Sequence, residues 1–390
     1  MKNKIARVSA SAAFQFVFTM GIVNLFGDIT YEGGAAINGQ FLGELGASAA
    51  AISIIAGGGE FLGYALRLLA GYAADKSGRY WLLTCIGYLI NTLSVPAMTL
   101  AGSWQTAGAL VVLERTGRAI RKPTVEAMLS YTTGTLGRGW VYALNTALDE
   151  IGATIGPLVV AAVLFLRGDF RIGYAVLLIP AVLTLASLTA ARIGFPVPSS
   201  LEQQRTARVS GFARGYFLYM LGGALFAMGL MSYELIAYHF ARTNIVSGAW
   251  IPVLLSLATG SGVIANLLLG RFYDRAGIPV LLIAVVLSSL FAPIVFQGSL
   301  AAVVAAMPLW GIGYAVQDTL LKAVVAGLLP EHRRSFAFGL FYAVYGLGWL
   351  IGSIVIGVLY QQSLSAMVSF VVAAQLASMP LFVIAHRSRS

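Results

Sequence analysis

"GYAADKSGR" at residues 71–79 and "GRFYDRAGI" at 270–278 decide the architecture of this chain. Gly71 and Gly270, Asp75 and Asp274, Lys76 and Arg275, and Gly78 and Gly277 all fall at one offset of 199 residues. Each stretch is a short polar interval between long apolar runs. Gly71 permits close helix approach and Gly78 a tight turn, because neither carries a Cβ. The aspartate can accept hydrogen bonds from helix N-terminal amides, while Lys76 and Arg79 stay in water. Three further landmarks keep nearly the same register. Tyr31-Glu32 matches Tyr233-Glu234, Gly152 and Gly156 match Gly348 and Gly352, and Gly117-Arg118-Ala119 matches Gly313-Tyr314-Ala315. The chain reads as one segment used twice.

Composition identifies the medium. Of 390 residues, 58% are hydrophobic and 10% charged, with a mean hydropathy of +0.84. Soluble domains run near 45–50% apolar and about 25% charged. The apolar residues gather in runs of about 20, the length that crosses a ~30 Å hydrocarbon core. Spans are expected near residues 11–31, 48–72, 81–102, 106–128, 139–166 and 172–194, then 214–241, 247–272, 279–298, 300–328, 334–361 and 364–386. The expected fold class is an all-α polytopic membrane protein, with twelve transmembrane helices in two six-helix pseudo-repeats. "FPVPSSLEQQRTARVSGFAR" at 195–214 is the one long polar interval between spans. It separates an N-terminal bundle (1–194) from a C-terminal bundle (214–390) through a linker at 195–213. The basic start "MKNKIAR" leads into an apolar run with no clear small-residue cleavage site, so it reads as a retained first span.

Charge gives orientation. Sixteen loop lysines and arginines lie on the side that holds both termini, against Arg167, Arg171 and Arg242 on the other. This bias places both termini and the linker in the cytoplasm, with the chain multi-pass in the inner (plasma) membrane. Topology thus absorbs most of the +10 net charge, and no nucleic-acid partner is expected. Cys85 is the single cysteine and there are three histidines, His239, His332 and His386. No HExxH metal motif and no G-x-x-x-x-G-K-[ST] phosphate loop occurs. The expectation is a chain that is not an enzyme, has no cofactor and no metal site, and is not driven by ATP directly. Its expected partners are the lipid bilayer, a small-molecule substrate and protons, and it is expected to act as a monomer.

The "G-x-x-x-D-K/R-x-G-R" loop, its echo in the second half, the span count and the position of the linker together resemble the major facilitator superfamily across essentially the whole chain. "GRAIRKPTVEAML", followed by "GRGWVYALNTALDEIGATIGPL", is similar to a bacterial branch with a G-R-x-x-R-x-P fourth helix, and this resemblance implies export. The resemblance implies two rocking bundles around a cavity lined by spans 1, 4, 7 and 10. It also implies a gating role for the loop residues Gly71, Asp75, Lys76, Gly78 and Arg79 and for Gly270, Asp274, Arg275 and Gly277. "GATIGP" at 152–157 partly resembles the antiporter motif G-x-x-x-G-P, without the double glycine usually found beyond the proline.

Span 4 carries an unusual concentration of charge. Glu114, Arg115, Arg118, Arg121, Lys122 and Glu126 fit within an arc of roughly 140° on a helix. Charge facing lipid is costly, so this face must turn to protein or to a watered cavity. Glu114–Arg118 and Lys122–Glu126 are i,i+4 pairs, and span 10 keeps the reversed pair Asp318–Lys322. Glu114, Arg115, Lys122, Glu126, Asp318 and Lys322 are read as fixed structural pairs. Arg118 and Arg121 are read as holding an anionic group, since guanidinium offers a two-pronged fork that lysine lacks. Tyr31, Glu32, Tyr314 and Gln317 complete the expected binding set. The spans hold nine acids against six bases, so some carboxylates lack a full-time cation. Glu32, with Asp28, Glu234 and Asp149, is the expected proton-coupling group. The leading functional expectation is proton-coupled efflux of a small organic or amphiphilic solute by an antiporter. The alternative is uptake of an anionic metabolite, siderophore or metal chelate.

Overall fold

The computed structural model describes residues 2–136, 138–201, 214–296, 298–321 and 334–387, and the regular structure among them is helical. In chain order the helices are α1 (Lys2–Glu44), α2 (Ala49–Ser77), α3 (Tyr80–Ala97), α4 (Trp104–Ser130), α5 (Thr133–Leu136), α6 (Arg138–Arg167), α7 (Phe170–Val176) and α8 (Leu178–Gly194). They continue with α9 (Arg214–Met228), α10 (Tyr233–Thr243), α11 (Ile251–Ala276), α12 (Ile278–Ser289), α13 (Phe291–Val295), α14 (Leu300–Ala315), α15 (Arg334–Gln362) and α16 (Leu364–Arg387). Among the described residues, ten helical spans are long and apolar enough to cross a membrane, and Leu300–Ala315 is a shorter apolar helix. The chain is a multi-pass membrane protein. The expected fourth span, α4, falls outside the ten. Its six charges explain why.

Sequence spacing ends the first span near residue 31, yet α1 runs on to Glu44 as a helix of 43 residues. Gly33 and Gly34 serve packing there. A methyl group on Gly33 would lie 2.8 Å from Leu177, and one on Gly34 would lie 2.7 Å from Val95. The chain turns only at Gly46, with φ +88°.

Two compact units emerge. The first holds Met1–Gly34, Leu66–Ala101 and Ala109–Ala207, and the second holds Ala35–Ala65, Gly102–Gly108 and Arg208–Ser390. In the first unit, Phe16, Val17 and Met20 of α1 pack with Tyr88 of α3 and with Val125 and Met128 of α4 in a fully buried core. A methyl on Gly152 of α6 would lie 2.5 Å from the Leu25 carbonyl oxygen, and one on Gly156 would lie 2.5 Å from that of Ile29. In the second unit, methyls on Gly348 and Gly352 of α15 would overlap the carbonyls of Ala224 and Met228. Leu25 and Ile29 are offset from Ala224 and Met228 by the same 199 residues as the two loops. The sequence repeat is therefore a repeat of helix crossings in which backbone meets backbone.

The second unit departs from the first in one respect. Its seventh span is expected as one helix over 214–241 but is interrupted between Met228 and Tyr233. Unwound backbone survives inside a membrane protein only where other groups take up its polar atoms. Here Nε2 of Gln375 donates to the Gly229 carbonyl at 2.8 Å, and Nε1 of Trp310 donates to that of Met231 at 2.9 Å. The interrupted span is also the most deeply buried of these ten. Further along, α14 ends in a π-helix at Val316–Leu321.

Substituting Gly352 with alanine is expected to lower stability by roughly 1–3 kcal/mol, the usual range for overpacking a tight contact. Gly260 has nothing within 4 Å of its would-be methyl, so Gly260→Ala serves as the neutral control. Thermal unfolding of the detergent-solubilised protein reads both, and equal Tm values for the two variants would refute the crossing as described.

Candidate functional site

The charged face of α4 lies within the first unit, and its three arginines have different surroundings. Arg121 is 2% exposed. Its Nε donates to Oδ1 of Asn91 at 3.0 Å, and Nη1 donates to the Tyr88 hydroxyl at 3.2 Å and to Oδ1 of Asn24 at 3.4 Å. Nη2 reaches Oδ1 of Asp28 at 3.4 Å as an ion pair. The guanidinium also lies over the Tyr88 ring, 4.5 Å from its centroid. The partners are linked in turn. The Tyr88 hydroxyl donates to Asn24, Nδ2 of Asn24 donates to Asn145 at 2.7 Å, and Nδ2 of Asn91 donates to the Glu114 carboxylate. Four groups from α1 and α3 thus engage the fork expected to hold a solute.

The glycines make this reach possible. A methyl on Gly87 would lie 2.7 Å from the Arg121 amide nitrogen, and one on Gly117 would overlap the Asn91 backbone. With α3 and α4 this close, the short side chain of Asn91 spans the gap.

Arg118 sits differently. Its Cζ lies 4.1 Å from the centroid of Tyr31, a cation–π distance, and the side chain remains partly exposed. Arg115 is buried, with Nη1 donating to the Tyr31 hydroxyl at 3.4 Å. Glu32 is partly exposed and lies within electrostatic reach of Asp28, Arg118, Glu150 and Arg115. Tyr31, Glu32, Arg118 and Asp28 therefore gather in one place, with Arg121 anchored behind Asp28.

One expected pair is not formed. Nζ of Lys122 lies 3.7 Å from Oδ2 of Asp149 on α6, and Glu126 is exposed. Lysine placed before glutamate is the weaker order for an i,i+4 helix pair, and Asp149 offers a more enclosed carboxylate. Oδ1 of Asp149 is buried without a hydrogen-bond partner among the described residues.

In the second unit, Gln317 occupies the position matching Arg121 and is buried. Its Nε2 donates to the Tyr64 hydroxyl at 2.6 Å, and the Tyr345 hydroxyl donates to its Oε1 at 2.9 Å. Tyr314 packs on Trp310 at 4.2 Å and on Trp349 at 5.8 Å. Glu234 is buried in the first turn of α10. Of the other expected residues, Lys322 and the side chains of Asp75, Asp274 and Asp318 lie outside the described residues. Gly71 rests against Pro123, and Gly78 and Gly277 have φ of +65° and +69°, conformations that glycine adopts readily. Lys76 lies 5.9 Å from the Tyr72 ring centroid, Arg79 and Arg275 are exposed, and Gly270 falls inside α11.

Reading the charges alone misses Asn24, Tyr88, Asn91, Asn145, Tyr64 and Tyr345. Their signal is present, since an asparagine in an apolar run must find a partner when buried.

Arg121→Lys is expected to cost about 1.5–3 kcal/mol, the scale of a hydrogen bond to a charged group, because an ammonium cannot reach all four partners. Arg118→Lys keeps its charge in a partly exposed place and is expected to stay within about 0.5–1 kcal/mol of the parent. Thermal unfolding of both variants side by side makes the check, and equal losses would remove the distinction.

Comparison with known proteins agrees with these features. The sequence profile of the Major Facilitator Superfamily matches residues 9–279 and 213–386. An uncharacterised protein of Mycobacterium tuberculosis is 33% identical over 375 residues, covering 94% of this chain and 92% of its own. An uncharacterised MFS-type transporter of Methanocaldococcus jannaschii is 27% identical over 367 residues, covering 89% of both. Among solved structures, a mutant peptide transporter POT in complex with alafosfalin superposes with a TM-score of 0.77 at 16% identity, over 95% of this chain and 94% of that one. A mutant nucleoside transporter, NupG, gives 0.73 at 16% identity, over 94% of this chain and all of that one. At such identities the structures speak for the fold. With its profile match, its relatives and its repeated helix crossings, the chain belongs to the Major Facilitator Superfamily.

Proposed function

We propose that this protein is a secondary active transporter that moves a small organic anion together with a proton. The carrying observation is the placement of Arg118, partly exposed on the face of Tyr31 and within electrostatic reach of Glu32. Arg121 is already engaged by four protein groups and acts as the clamp that holds Asp28, α3 and α4 in place. The binding role belongs to Arg118, and Glu32 is the coupling carboxylate.

The coupling sense follows from charge. An ionised Glu32 competes with an anionic solute for Arg118 and repels it. Protonating Glu32 removes that competitor, so proton and anion bind together. Carried down an inward proton gradient, this is uptake. Antiport, as expected for an exporter, requires proton and solute to exclude each other. A cationic or neutral amphiphile held by Glu32 itself would meet that requirement, and that is the second reading.

The wider scheme is alternating access by two six-helix bundles, 1–194 and 214–390, within a twelve-span chain. Both termini and the 195–213 linker are cytoplasmic, and the protein works as a monomer in the plasma membrane, without cofactor or enzymatic activity.

Proteoliposomes with an imposed pH gradient separate the two senses. Acid outside is expected to drive accumulation of a small carboxylate at least several-fold above the no-gradient level. Glu32→Gln is expected to abolish that gradient dependence while leaving solute exchange intact. Arg118→Ala is expected to weaken half-saturation at least tenfold. Accumulation driven instead by acid inside would replace co-transport with antiport.

A further inference from the structure

The second unit holds a cavity that the scheme above does not use. It is an open cleft of about 370 Å³, lined by Ser48, Tyr238, His239, Arg242, Tyr360 and Gln361, with Ala49 and Leu364 completing the wall. It lies where α10 and α15 end and where α2 and α16 begin, remote in sequence from the charged face of α4. Its volume falls within the range of small-molecule sites.

Three features define what would fit. The first is charge: among the described residues, Arg242 is the one arginine or lysine on the wall, and no carboxylate lines it. Arg242 sits in the last turn of α10, where its charge offsets the carbonyl end of that helix. Its Nη1 donates to the Tyr238 hydroxyl at 3.4 Å, its hydrogen-bond partner among the described residues. The rest of the fork remains available for a carboxylate.

The second feature is the direction of the neighbouring helices. Two long helices, α2 and α16, begin at the cavity, and the Ser48 and Ser363 hydroxyls accept from the Ala51 and Ala366 amides at 3.2 and 3.3 Å. Both helices thus turn the positive ends of their dipoles to this corner, against the carbonyl ends of α10 and α15 that also meet there, so the helix dipoles nearly balance and Arg242 sets the sign of the site.

The third is an aromatic wall with its rings fixed in place. Nδ1 of His239 and the Tyr360 hydroxyl are 2.9 Å apart, and the Tyr360 ring meets His239 at 5.7 Å and Tyr238 at 6.1 Å, both edge to face. His239 is braced from behind by Phe296 at 4.6 Å. With Nδ1 committed to Tyr360, Nε2 is the nitrogen left to meet a ligand. Rings held this way lose little freedom on binding.

We infer that this cavity is a second binding site, for a small organic anion with a flat apolar body, its carboxylate on Arg242 and its body against Tyr238, Tyr360 and His239. The site stands on its own residues and does not depend on the reading of Arg118.

Benzoate is the probe, and the full chain in phosphatidylcholine nanodiscs is the sample. Arg118→Ala supplies the background, so that binding at the α4 cluster is not counted. Benzoate is expected to bind saturably in that background, and Arg242→Gln on top of it is expected to weaken binding at least tenfold. Modification by diethyl pyrocarbonate, read by peptide mass spectrometry, follows His239 separately from the other two histidines. Benzoate is expected to slow the reaction of His239 at least threefold, and Arg242→Gln to abolish that protection. If Arg242→Gln is unstable, Tyr360→Leu removes the aromatic wall and is expected to give the same loss. Absence of saturable binding in the Arg118→Ala background overturns the site, as does unchanged protection in Arg242→Gln. Protection of His239 by added phosphatidylglycerol in place of benzoate would assign the cavity to a lipid headgroup and overturn the solute. Failure of Arg118→Ala to affect transport would touch only the earlier reading.

Discussion

A guanidinium carried into an apolar interior must be met by protein, because hydrocarbon offers it nothing. Arg121 is met by Asn24 and Asp28 from α1 and by Tyr88 and Asn91 from α3. Apart from Tyr88, these side chains are short. They reach because Gly87 and Gly117 let α3 and α4 approach until backbone nearly touches backbone. The charge and the glycines are therefore one device. The arginine requires partners on two other helices, and the small residues bring one of them, α3, within reach. Much of the first unit's helix order follows from that requirement.

How much of this could be read in advance varies with the physics. The membrane nature, ten of the expected spans and the repeated helix crossings were legible because apolar run length and glycine spacing are local properties. The glycines of α6 and α15 were visible as matched pairs, and only coordinates reveal that each pair rests on the same two carbonyl positions of its partner helix. The end of α1 was misjudged because Gly33 and Gly34 resemble a turn, whereas tertiary packing uses them as flat surfaces. The interruption at 229–232 was hidden because it is stabilised from afar, by Gln375 and Trp310, and neither is near it in sequence. At the candidate site, the charged face of α4 was evident, but which arginine is buried and which is partly exposed depends on neutral residues of other helices. The Lys122–Asp149 contact likewise depends on α6, which no spacing within α4 could reveal.

The two halves show how a duplicated plan diverges. Gln317 stands where Arg121 would be and, among the described residues, it is satisfied by the hydroxyls of Tyr345 and of Tyr64 on α2, without a carboxylate. Around it, Tyr314, Trp310 and Trp349 supply ring contacts where the first unit supplies ion pairs. A neutral amide needs no counter-ion, so the second unit could dispense with the acids that accompany Arg121.

The same divergence has a mechanical side. The first copy of the plan kept its opening helix whole, while the second interrupted it and tied the loose carbonyls to side chains on α14 and α16. A continuous rod bends only by straining many bonds at once, whereas a tied joint yields by exchanging two. The two copies of the repeat thus differ in build: the opening helix is continuous in one, and in the other it is broken and held by side chains from distant helices.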